Sequence, residues 1–228
     1  MSSSKIYPNV KIGKGAFIDD FVILGYPPRG KKPGEMELVI GDRAVIRSHS
    51  VIYAGSVIGD DFQTGHQTTV REENRIGNNV SVGTKVIVEH HISIGNNVRI
   101  QGLAGICEYS ILEDDCWIGP MALFANTPHP KCPKAKECMK GPTIKRKAII
   151  GGHATLLPGV VVGEHAFVGA GCVVRKDVPP HVVIFGNPPR VVANVFKLSC
   201  PPELIDRPYR EEDLDPYPQG VVVAELKS

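Results

Sequence analysis

Residues 76–100 read Ile76-Gly-Asn-Asn-Val80-Ser-Val82-Gly-Thr-Lys-Val86-Ile-Val88-Glu-His-His-Ile92-Ser-Ile94-Gly-Asn-Asn-Val98-Arg-Ile100. An aliphatic residue returns at every sixth position, an apolar residue stands two places before it, and Gly often follows it. Side chains alternate across a strand, so positions i−2 and i share one face. Both are apolar here, which makes that face a core. An amphipathic helix needs apolar spacings of three and four, which this run lacks.

The register extends outward without a slip. Stepping by six from Ile40 reaches Ile46, Ile52, Ile58, Thr64 and Val70 before the quoted segment, and Ile106, Leu112, Ile118 and Phe124 after it. Ile12, Ile18 and Leu24 form an earlier run; Ile150, Leu156, Val162, Val168 and Val174 form a later one. Of these 23 positions 21 are Ile, Val or Leu, which number 59 among 228 residues, so chance would supply only about six. The apolar slot two places earlier recurs as Ala104, Cys116, Ala154, Val160, Ala166 and Cys172, which marks Cys116 and Cys172 as core thiols. Gly follows the aliphatic residue in 12 of the 23 hexads, where it is expected to free the backbone to turn. A six-residue unit cannot bury its apolar face alone, so the units must stack.

The chain has 228 residues, of which 42% are hydrophobic and 22% charged, a balance that excludes a disordered protein. A net charge of +2 argues against a dedicated nucleic-acid binder. No apolar run is long enough for a membrane-spanning helix, and the residues after Met1 lack the apolar stretch of an export signal. A cytoplasmic protein with six reduced cysteines is expected. Two proline-rich stretches, 26–39 and 125–149, interrupt the hexads, and loops this long in a compact domain are commonly functional. The expected organisation is one domain, 1–195, with these two inserts, and a tail, 196–228, with a short helix near 211–214.

A hexad of this form over residues 10–195 resembles the left-handed parallel β-helix of the hexapeptide-repeat acyltransferases. Three hexads make one triangular coil in that family. The resemblance therefore implies an all-β prism of seven to eight coils. Residues 150–180, followed by Gly186-Asn-Pro-Pro-Arg190, look like the coenzyme A-binding coils of these enzymes. In relatives the pantetheine arm runs outside such coils, in a cleft between two subunits of a trimer. The resemblance implies that Gly152, Gly169, Ala170 and Gly171 let that arm approach the backbone. Lys176 and Arg190 suit the coenzyme's phosphates.

The second segment is Ile118-Gly-Pro-Met-Ala-Leu-Phe-Ala-Asn126-Thr-Pro-His129-Pro. It resembles two branches of the family. Sugar O-acetyltransferases carry a catalytic His-Pro here, matching His129. Nucleotide-linked amino-sugar N-acetyltransferases carry Phe-Thr-Asn, matching Asn126, although Ala125 stands where they have threonine. A sugar hydroxyl needs a general base, for which His is suited. An amine needs only to lose one proton, so an asparagine or a backbone carbonyl suffices to orient it. By resemblance the Gly152 amide donates to the thioester oxygen as it becomes an anion.

His66, His90 and His91 fall at hexad corners, with Glu72, Glu73 and Glu89 nearby. Carbonic anhydrases of this fold hold zinc with three histidines, but the spacing here does not match. Glu89, His90 and His91 are expected to touch the acceptor across the subunit cleft. His129, Cys132, Cys138 and Cys200 are zinc-type donors. Their spacing is unusual and interrupted by proline, so loop thiols without a metal are expected. The expectation is thus a homotrimeric acetyl-CoA-dependent N-acetyltransferase that acts on a nucleotide-linked amino sugar in surface-polysaccharide synthesis. Sugar O-acetylation through His129 is the alternative within enzymes, and a non-catalytic trimeric scaffold or binding module is the alternative of another class.

Overall fold

The computed structural model describes residues 3–210, and the short helix expected near 211–214 lies outside them. The hexads form a left-handed parallel β-helix. Successive two- to four-residue strands pass in rotation to three parallel sheets, here A, B and C. Lys5–Ile6 opens sheet A, Val10–Ile12 sheet B and Phe17–Ile18 sheet C, and Ile23–Tyr26 returns to A for the second turn. Sheet A has nine strands and sheet B eight; sheet C has ten, of which the last, Arg190–Asn194, is antiparallel. Eight turns are complete. A ninth is made by Val173–Val174, a Val162–Val178 bridge and Val182–Phe185. The prism is longer than the hexad count because Ile6 and Ile144, six places before Ile12 and Ile150, extend those two runs, and because Ile184 fills an inward position off the six-residue step.

The interior is as the alternation demands. Ile40, Ile46, Ile52, Ile58, Val82, Val88, Ile100 and Ile118 are buried, as are Val80, Val86, Ala104, Cys116, Ala154 and Cys172 in the smaller slots. Thr64 takes an aliphatic position, and its hydroxyl accepts the Arg47 N–H at 2.9 Å, so burial leaves it satisfied. All six cysteines are free thiols. Burial pushes Cys107 up to about 11 and Cys116 up to about 12, which makes both inert as nucleophiles.

The corners do not turn where the sequence suggested. The left-handed residue is the third after the aliphatic, as in Glu73, His91 and Asn97 with φ of 58°, 57° and 58°, and it is usually not Gly. Gly41 and Gly59 are required for a different reason. A Cβ on Gly41 would lie 2.3 Å from Asp60 Oδ1, and one on Gly59 2.3 Å from Asn78 Oδ1. Those same oxygens accept the next corner N–H groups: Asp42 donates to Asp60 at 2.8 Å and Asp60 to Asn78 at 2.8 Å. Gly makes room for a side chain of the adjacent turn.

The first insert occupies residues 27–37. The second occupies residues 125–142 and contains a short 3-10 helix, Ala135–Cys138. The prism resumes at Thr143–Ile144, inside the stretch expected to be loop, because Pro142 and Ile144 fill the two inward slots. Both inserts leave sheet A and enter sheet B, so both project from the A–B edge. At the far end Val195 and Phe196 pack against Val183, with Phe167 and Tyr209 alongside. No helix among the described residues is long and apolar enough to cross a membrane.

Candidate active site

Corner residues one turn apart stack along each edge. On the A–B edge Glu72, His90, Glu108 and Asn126 form one column, and Glu73, His91 and Tyr109 the next. Buried Asn74 anchors this edge. Its Nδ2 donates to the Arg71 and Glu89 carbonyls at 2.9 and 2.8 Å, and its Oδ1 accepts the Ile92 N–H at 2.7 Å. The two adjacent histidines then diverge. His90 Nε2 lies 3.3 Å from Glu108 Oε1. His91 Nε2 lies 3.0 Å from Glu73 Oε2, and its ring stacks on Tyr109 with centroids 5.5 Å apart. Glu89 is held by Arg71 at 3.0 Å. Arg71 also grips Glu72 through two bonds of 2.9 Å. Burial raises the Glu72 carboxyl, but the Arg71 hydrogen bond, a backbone bond and nearby positive charge leave it below the ordinary carboxylate range.

Asn126 joins this column. It is nine-tenths buried, and its Nδ2 donates to Glu108 Oε2. Its Oδ1 accepts the Thr127 hydroxyl at 2.9 Å, and its carbonyl accepts the Lys140 N–H at 2.9 Å, which ties the start of the insert to its end. The structure thus links two residues singled out from sequence, His90 and Asn126, through a third that was not, Glu108. The signal was present: positions 72, 90, 108 and 126 differ by 18, one turn of three hexads. His129 is exposed three residues beyond Asn126. His66 lies on the C–A edge instead, bonded to Ser48 at 2.9 Å.

The glycines singled out from sequence also lie on the C–A edge. The Gly152 carbonyl accepts the Gly171 N–H at 2.9 Å, while the Gly152 N–H has no protein acceptor among the described residues. Ala170 and Gly171 are exposed, and the space beyond Gly171 is open. Gly169 is buried, and a Cβ there would meet the Phe185 ring at 2.3 Å, so it packs against protein rather than facing outward. Lys176 and Arg190 are brought together: both line a cleft of about 490 Å³ at the C-terminal end of the A–B edge, with Arg175, Asp177, Pro188 and Pro189. A second cleft, about 540 Å³, lies on sheet C among Trp117, Phe167, Phe196 and Tyr209 and reaches the B–C edge at His165, away from the A–B and C–A edges.

One chain therefore carries Asn126 and Gly152 on opposite borders of sheet A and does not bring them together. Between and beside them is an apolar surface, with Ile87, Leu123, Leu103 and Met121 all exposed. His129, Cys132 and Cys138 are exposed on the insert and Cys200 is half-buried beyond the hairpin; among the described residues no three His, Cys, Asp or Glu side chains are grouped to hold a metal ion.

Residues 141–176 match the family model described as bacterial transferase hexapeptide (six repeats). The chain is 36% identical over 93 residues to a galactoside O-acetyltransferase of Escherichia coli (strain K12), covering 39% of this chain and 46% of that one. It is 36% identical over 63 residues to a dTDP-3-amino-3,6-dideoxy-alpha-D-galactopyranose 3-N-acetyltransferase of Aneurinibacillus thermoaerophilus, covering 28% and 33%. The matched segments thus span less than half the length of these curated relatives. Among solved structures, a UDP-N-acetylglucosamine acyltransferase from Bacteroides fragilis 9343 superposes with a TM-score of 0.55 over 85% of this chain and 74% of that one; at 19% identity this likeness concerns the fold alone. Residues 141–176 are thus similar to the hexapeptide repeat of bacterial transferases, and the prism as a whole has the fold of the acyltransferase above.

Proposed function

We propose that this protein transfers the acetyl group of acetyl-CoA to the amine of an amino sugar, carried on a nucleotide, in surface-polysaccharide synthesis in the cytoplasm. The observation that carries the reading is Asn126, held at the mouth of the insert with its amide nitrogen on Glu108. Around it the A–B edge presents four carboxylates, Glu72 and Glu89 paired with Arg71, Glu73 beside His91 and Glu108 beside His90, a field that draws an ammonium group. The ammonium gives up one proton to solvent, the neutral amine attacks the thioester carbon and the C–S bond breaks. The proton shed by nitrogen ends on the coenzyme sulfur. The Gly152 N–H is suited to the oxyanion, and one such donor is worth about 3–4 kcal/mol. Lys176 and Arg190 in one cleft suit the coenzyme's phosphates. Ala170 and Gly171 leave room for its arm.

Because Asn126 and Gly152 lie on opposite borders of sheet A, the site needs a second copy. Packing sheet A of one subunit beside that of the next would bury Ile87, Leu123, Leu103 and Met121 and bring an A–B edge to a C–A edge. A homotrimer with three such sites is the assembly this supports. The exposed His129 favours one other reading, O-acetylation of a sugar with His129 as base.

Both readings are tested by thiol release from acetyl-CoA. The amine probe is dTDP-3-amino-3,6-dideoxy-α-D-galactose and the hydroxyl probe is methyl β-D-galactoside. Turnover with the amine alone supports N-acetylation, and turnover with the galactoside alone supports the His129 reading. Coenzyme A binding without turnover across a broad panel of amines and sugars would leave a binding module.

A further inference from the structure

On the acetyl-transfer reading above, we propose that Glu108 is a positioning residue: it sets which end of the Asn126 amide faces the acceptor. A carboxylate only accepts hydrogen bonds, so the atom of Asn126 turned toward Glu108 must be the NH₂ group. The carbonyl oxygen is then turned away from Glu108. One of its lone pairs takes the Thr127 hydroxyl at 2.9 Å, and the other is left for an N–H of the acceptor. Without Glu108 the two ends of the amide are nearly equivalent in shape, and the flipped form would present two donors to an amine that is itself a donor.

His90 fixes Glu108 in turn. Its Nε2 lies 3.3 Å from Oε1, while its Nδ1 is buried without a hydrogen-bond partner. That arrangement selects the tautomer with the proton on Nε2, aimed at the carboxylate. Both Glu108 oxygens are thereby engaged, one by His90 and one by Asn126. Buried Asn74 locks the backbone of the His90 corner through the Glu89 carbonyl and the Ile92 N–H. The column therefore presents a rigid acceptor oxygen, which orients the nucleophile through its N–H.

Four proteins test this: wild type, Glu108→Gln, Asn126→Asp and the double variant. Each is assayed for kcat and for both KM values with acetyl-CoA and dTDP-3-amino-3,6-dideoxy-α-D-galactose. Glu108→Gln keeps the shape but allows either amide orientation, and kcat should fall about 10- to 100-fold with the acetyl-CoA KM unchanged. Asn126→Asp sets two carboxylates face to face and should fall further. The double variant restores a donor at 108 and an acceptor-only group at 126, and should recover at least about tenfold over Asn126→Asp, a rescue that a merely structural role would not give. A Glu108→Gln kcat within about twofold of wild type, or a double variant no better than Asn126→Asp, overturns the proposal while leaving the transferase reading intact.

If wild type turns over no acceptor, the transferase reading fails by itself. The amide orientation is still read by NMR. One Asn126 side-chain NH₂ proton should be strongly downfield and lose that shift in Glu108→Gln; an ordinary wild-type resonance overturns the proposal.

Discussion

The B–C and A–B edges of the prism are built on the same 18-residue stack and use it for opposite ends. On the B–C edge Asp42, Asp60, Asn78, Asn96 and Asp114 turn back on the main chain. Each accepts the corner N–H of the preceding turn, Asn78 from Asp60, Asn96 from Asn78 and Asp114 from Asn96 at 2.8, 2.9 and 2.6 Å. On the A–B edge Arg71, Glu72, Glu89, His90, Glu108 and Asn126 engage one another, and both inserts leave from that edge. A side chain that caps its neighbour's backbone is part of the scaffold. One that is oriented by other side chains is available to a ligand.

The sharpest way to break this contrast is Asn126→Ala. Turnover with the amine acceptor should fall about 10²- to 10³-fold while the melting temperature stays close to wild type. His129→Ala should be mild. Steady-state kinetics with a parallel thermal melt reads both, and a larger loss for His129→Ala would move the chemistry to the O-acetylation reading.

The B–C edge should behave in reverse. Gly59→Ala sets a Cβ 2.3 Å from Asn78 Oδ1, dislodges a cap and should cost about 2–3 kcal/mol in urea unfolding. The folded fraction should keep the wild-type KM for both substrates. A variant as stable as wild type would show that these glycines do not make room for the caps.

A smaller effect sharpens the description of the B–C edge near its C-terminal end. Burial pushes His165 down to about 4 from an ordinary value of 6.5, with the charges of Lys147 and His181 lowering it further against Glu164. Its ring stacks on that of His181 at 5.6 Å. The unfolded chain takes up the proton near pH 6.5 and the folded chain only near pH 4. The contribution is therefore complete above about pH 6.5 and is lost as pH falls toward 4, about 1–3 kcal/mol in all. Urea midpoints at pH 7.5 and 5 should show this loss, and His165→Phe should reduce it. A pH dependence unchanged by that substitution removes His165 as its source.

The smallest expected effect concerns the cleft at the end of the A–B edge. Lys176→Ala or Arg190→Ala should raise the acetyl-CoA KM about three- to tenfold with little change in kcat, as expected of exposed phosphate contacts. An unchanged KM in both variants moves the coenzyme's phosphates elsewhere.

How far the site was legible depends on sequence distance. Asn126 and His129 stand beside a recognisable Phe-x-Asn and His-Pro, so they were found. Glu108 stands in Cys107-Glu-Tyr109, which resembles nothing, and its role exists only through His90 and Asn126, each one turn away. His90 and His91 look like a pair because they are neighbours in the chain. A left-handed backbone at His91 sends them to different carboxylates. Gly169 looked like an outward glycine, and only the return of the chain at Phe185 shows what it packs against.

The sequence by itself determined the prism. A period of six with two apolar slots per hexad admits one burial pattern, and burying that stripe dominates the folding free energy of a stacked repeat. It also determined which residues are corners, since every position has a fixed place in the hexad. Which corner residues meet was decided only by the tertiary structure. Neighbours on an edge are 18 residues apart, 28 across the first insert and 32 across the second. A hydrogen bond between side chains depends on rotamer and backbone sign at both ends, and no periodicity in the chain records either.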